Sequence, residues 1–156
     1  MVSGAPDYYS WALIDIMQQT LAELQIWRNL GASNTAIYSG VPATYTTSTL
    51  ISVTGRGTLV YGIAIQEGDA AAASNELQIY IDGNFIAGMS SASASAYQIN
   101  IPEIYPIYSR LHDTVMPAFV MGLGTKLTFE SSLEIRYVEM NGQTGTVTVQ
   151  VIFGVI

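Results

Sequence analysis

Residues 50–66 read LISVTGRGTLVYGIAIQ, and their period is two. Leu50-Ile51-Ser52-Val53-Thr54 is a β-branched run closed by Gly55-Arg56-Gly57. Strand-forming residues then resume and continue to Gln66. In the second run Leu59, Tyr61, Ile63 and Ile65 alternate with Val60, Gly62 and Ala64. Successive side chains on a strand point to opposite faces, so this spacing predicts one face of large residues and one of small. A face of small residues lets another layer approach closely. The stretch therefore predicts two strands joined by a tight turn.

Downstream the same grammar repeats. Residues 67–75 form a polar, alanine-rich loop, after which Leu77, Ile79 and Ile81 alternate with Gln78, Tyr80 and Asp82. Asp82-Gly83 or Gly83-Asn84 then turns the chain into Phe85-Ile86, a two-residue hairpin signal. Residues 90–96 are a Ser/Ala run expected to be an exposed loop, and 97–101 alternate as a strand that stops at Pro102. Pro102, Pro106 and Pro117 confine strands in 102–124 to edges or ends. Residues 126–140 carry the longest β signal, with an irregularity at Glu130-Ser131-Ser132 that suggests a bulge. Asn141-Gly142 begins a turn, and Val147, Val149, Val151 and Phe153 alternate to the end. About eight short strands separated by turns predict a mainly β fold: an antiparallel β-sandwich or jelly-roll-like domain, not a parallel α/β sheet.

Upstream the period is helical. From Asp7, a capping residue after Pro6, to Leu30, followed by Gly31, the chain predicts one amphipathic α-helix. Ile14, Met17, Leu21 and Leu24 fall at spacings of three and four, and Trp11 and Trp27 widen the stripe. The helix could pack on its own sheet or dock on a neighbouring chain, and docking is the expectation adopted. The chain thus divides into an N-terminal helical arm (1–31), a connector (32–48) and a β-sandwich domain (49–156).

Composition limits the function. Of 156 residues 49% are apolar and only 11% charged, well short of the usual quarter. Part of such a surface is expected to be covered by other chains, since interfaces are depleted of Lys, Glu and Asp. A net charge of −7, with Lys126 the single lysine, argues against nucleic acid as a partner. Cysteine is absent, which excludes disulfides, thiol nucleophiles and zinc–thiolate sites. Residues 1–6 lack the basic region of a signal peptide, and 11–27 are too polar to span a bilayer, so no membrane partner is expected.

Candidate chemistry is sparse. His112 is the single histidine, and the adjacent Asp113 would point to the opposite face of a strand. Glu67 and Asp69 offer too few oxygens for calcium, and carboxylate pairs drawn from Glu130, Glu134 and Glu139 have no distinguishing context. Gly55-Arg56-Gly57 and Gly122-Leu123-Gly124 lack a following helix and read as turns. No catalytic, metal or cofactor residue is assigned. The tyrosines, including Tyr97, Tyr105 and Tyr108, suit a protein interface or a sugar-stacking platform. The candidate interface comprises Trp11, Ile14, Met17, Leu21, Leu24, Trp27, Tyr105 and Tyr108.

Three patches carry a resemblance. LISVTGRGTLVYG (50–62), LQIYIDGNF (77–85) and FESSLEIRYV (129–138) resemble the strand–glycine–strand opening, the hairpin and the C-terminal strand of small virion structural proteins of tailed phages. The resemblance implies a non-enzymatic particle component: a head decoration (cement) subunit, or a neck, tail or baseplate subunit, often homotrimeric. Its partners would be copies of itself and other virion proteins such as a major capsid protein. It would be made in the host cytoplasm and reside in the virion. A carbohydrate-binding jelly-roll module at a receptor-binding tip and a single-barrel capsid subunit are the alternatives.

Overall fold

The computed structural model describes residues 33–124 and 126–155. The helical arm predicted over 7–30, with its six interface candidates, lies outside them.

The described residues form ten strands. In chain order the first five are β1 (Ser33–Gly40), β2 (Thr47–Thr54), β3 (Gly57–Glu67), β4 (Glu76–Ile81) and β5 (Asn84–Ser90). The others are β6 (Ile107–Asp113), β7 (Ala118–Leu123), β8 (Leu127–Phe129), β9 (Ser132–Val138) and β10 (Thr146–Val155). A short 3-10 turn, Ala70–Ser74, and one helix, α1 (Ser91–Ala96), complete the set. One sheet runs β1-β10-β3-β7-β6, with β8 also on β3, and the second runs β2-β9-β4-β5. All the pairings are antiparallel. The pairs are nested: β4 with β5, β3 with β7, β2 with β9, β1 with β10.

The two sheets share one core. Leu59, Met121, Leu123, Val149 and Val151 of the first sheet join Leu77, Ile79, Leu133, Ile135 and Tyr137 of the second in a single buried cluster. Alternation puts them there, and full burial of each aliphatic side chain contributes about 1.5–3 kcal/mol. The mainly β, antiparallel expectation is thus met.

Several local readings are corrected. Residues 32–48 are not all connector, because β1 pairs with β10 over its whole length and packs Ala36 and Tyr38 on the core. Weak alternation in a Ser/Thr/Gly-rich segment concealed an edge strand whose pairing partner lies more than a hundred residues away. On β3 the large residues do not share one face. Leu59 pairs with Phe153 and Tyr61 with Ile152, leaving Val60 as an extra residue that flips the later alternation. Gly62, Ala64 and Gln66 consequently face inward, and Tyr61, Ile63 and Ile65 outward.

The Ser/Ala run is helical: Ser90 caps it by accepting from the Ser93 N–H at 3.1 Å, and Ser91 and Ala94 are buried. Residues 97–101 are not a strand. Tyr97 and Ile99 donate back to α1, and Gln98 sits at φ +55°. Within 67–75, Asp69 caps the 3-10 turn. Glu130-Ser131 is more than a bulge, for there the chain leaves the first sheet (β8) and enters the second (β9).

Candidate functional site

The two sheets present different exteriors. On the second, Glu134, Arg136, Gln78 and Tyr80 alternate with core residues and form a polar ladder. Arg136 Nη2 lies 2.7 Å from Glu134 and the guanidinium sits 3.9 Å above the Tyr80 ring, which meets Phe85 edge-on. Ser52 and Thr54 extend this polar face along β2.

The first sheet's exterior mixes apolar with uncharged polar residues. Registers place Ile37, Gln150 and Ile63 in one lateral row, and Thr148, Ile65, Val120 and Leu111 in the next. Tyr61 and Ile152 form a row beyond. Ile37 and Leu111, at its two edges, are 64% and 48% exposed. Charged side chains come in only at the margins, with Glu67 and Asp113 at one end and Arg110 on β6. The interior of this face therefore has no charge to hold water, which is the character of an interface core.

At the β6 edge the face opens into a cleft of about 590 Å³. Tyr61 and Tyr108 form one wall; Asn100 and Glu103 approach from the 97–106 loop, and Ser109 and Arg110 from β6. A smaller cleft of about 290 Å³ adjoins it, sharing Asn100, Ser109 and Arg110 and reaching Gln98 and His112. Gly122 makes room for Tyr108, whose Cζ lies 2.1 Å from where a Cβ on that glycine would stand. Tyr108 is accordingly buried on the sheet, whereas Tyr105 stays partly exposed beside the loop residues Ile101 and Ile104. Of the interface candidates among the described residues, Tyr108 lines the cleft and Tyr105 does not. Tyr61, Asn100 and Arg110 were not singled out in the sequence. The bulge at Arg110 in the β6–β7 register and the Tyr61 flip on β3 bring them together, and neither has a local signal.

Glu67 is exposed at the end of β3, and most of the remaining chemical candidates are engaged within the fold. His112 Nδ1 lies 2.8 Å from the hydroxyl of the fully buried Ser91, and its ring packs 5.0 Å from Phe119. Asp113 accepts from the N–H groups of Val115 and Met116. Glu130 pairs with Arg56 at 3.0 Å. Asp69 accepts from Ala71 N–H and Thr144 N–H, with Thr144 foremost in holding its carboxyl below the usual range.

Glu139 is buried without a cation. Burial works against its ionisation, yet N–H donors from Tyr45, Gln143 and Asn141 and the Asn75 amide prevail and hold its pKa below the ordinary value. Tyr137 bridges the neighbouring Gln66 and Gln143, and burial pushes its hydroxyl up to about 12. This network pins the loops at one end of the core. No protein-family model matches the chain, and a comparison with curated proteins returns no match.

Proposed function

We propose that the protein is a non-enzymatic structural subunit of a virus particle, a homotrimeric capsid decoration subunit that binds and stabilises the shell. The observation that carries this reading is the contrast between the two exteriors. On one sheet charged and polar side chains dominate, with Phe85 and Ile86 exposed on its edge strand, whereas the other carries no charge across its interior and turns isoleucine, valine, leucine and tyrosine outward beside Thr148 and Gln150. Cyclic oligomers close by repeating one such surface.

Two further points support it. The nested pairing gives the orders β1-β10-β3-β7 and β2-β9-β4-β5, which are those of a jelly roll, an architecture used by viral capsid proteins. The three patches resembling tailed-phage structural proteins fall on β2–β3, the β4–β5 hairpin and β8–β9. A major capsid protein is the proposed partner, with nucleic acid disfavoured by the −7 charge. Immunogold labelling of purified particles from the virus encoding this chain tests the assignment. Regular label on the head is expected; particles without the protein would refute it, and label confined to the tail would move it to a tail or baseplate position.

A further inference from the structure

We infer that the cleft beside β6 is a binding site for a neutral saccharide. Arg110 donates one bond to Tyr61 Oη at 3.1 Å, and its other N–H groups have no protein acceptor among the described residues. Ion pairing does not use it either, since the pairs there are Arg56–Glu130 and Arg136–Glu134. Glu103 and Asn100, exposed like Arg110, likewise have no hydrogen-bonded partner among the described residues, so a cation, an anion and an amide line one open depression.

The ligand that fits follows from this inventory. Arg supplies only donors, an ionised Glu only acceptors, and an amide both. A partner satisfying all three must donate and accept at neighbouring positions, as the vicinal hydroxyls of a sugar ring do. The opposite charges of Arg110 and Glu103 offset each other, so the depression favours neither sign of charge and suits an uncharged sugar. Tyr61 provides an aromatic wall for the apolar C–H face of the ring. The depression, about 590 Å³, is broadly open to solvent, so it would hold a sugar by one face.

The site does not depend on particle membership, although it shares Tyr61 with the face proposed as the subunit interface. The full chain is screened on an array of neutral hexose and N-acetylhexosamine oligosaccharides alongside sialylated and uronic-acid glycans, and hits are titrated by calorimetry. Neutral glycans are expected to bind. R110A and N100A should each weaken the strongest hit at least tenfold, with the oligomer mass and melting temperature unchanged. Y61F, which keeps the ring, should retain most of the affinity. No binding, binding restricted to acidic glycans, or titrations indifferent to R110A and N100A would each overturn the site. Because oligomer mass is read separately, a failed glycan titration leaves the assembly reading standing, and a monomeric protein that binds sugar does the reverse.

Discussion

At the scale of single residues, Asp82 links sequence grammar to tertiary structure. Asp82 and Gly83 both adopt positive φ, +53° and +78°, the conformation of the tight hairpin turn that an Asp-Gly pair announces. The sequence does not announce what the carboxylate does next. It accepts from the N–H groups of Glu130, Ser131 and Ser132, clamping the hairpin tip to the crossing between sheets. The backbone bond from Ser132, followed by those from Glu130 and Ser131, holds its pKa at about 2, below the ordinary 3.8. A depressed carboxyl contributes stability above the unfolded value and loses it as pH falls through the folded one. D82N should therefore melt at a lower temperature than the parent at pH 7, and the gap should narrow from about pH 4 and close below about pH 2. A gap at pH 2 as large as that at pH 7 would assign the effect to something other than the charge. Gly122 gives a second test: a methyl there overlaps the Tyr108 ring, so G122A should cost about 1–3 kcal/mol in urea unfolding.

At the scale of elements, legibility followed the strength of alternation. The sequence of β10, with Val147, Val149, Val151 and Phe153 inward, and the β4–β5 hairpin could be read because each is locally strong. β1 and α1 could not, since both are built from Ser, Ala, Thr and Gly and are specified by distant partners: β10 for one, and a packed position over β6 and the 3-10 turn for the other. The same limit hid the candidate site. One extra residue in β3 exchanges its faces, and the partly apolar exterior of the first sheet exists only after that exchange. The proposed interface makes a specific demand here. I63E with I65E places charges on the outward face without touching the core, so the fold should survive. Circular dichroism should remain that of a β protein with a cooperative melt, while light scattering should report a lower mass. Retained mass would place the contact elsewhere.

At the scale of the whole molecule, the described core is drawn from both sheets, from Leu50 to Phe153. If the N-terminal arm docks on another chain, as proposed, a chain lacking residues 1–30 should fold, giving a β spectrum and a cooperative thermal transition, yet fail to assemble or to bind its particle. Loss of the transition would mean that the arm belongs to the core. The nested pairing brings strands far apart in the chain together, which explains why topology was open from sequence while the fold class was not. The central claim is that the uncharged exterior of the first sheet is covered by copies of the chain. The most direct test is the mass of the full-length protein at neutral pH by light scattering, followed through micromolar dilution. The account predicts a constant value near three times the 16.8 kDa of one chain. A mass of one chain at every concentration would contradict it.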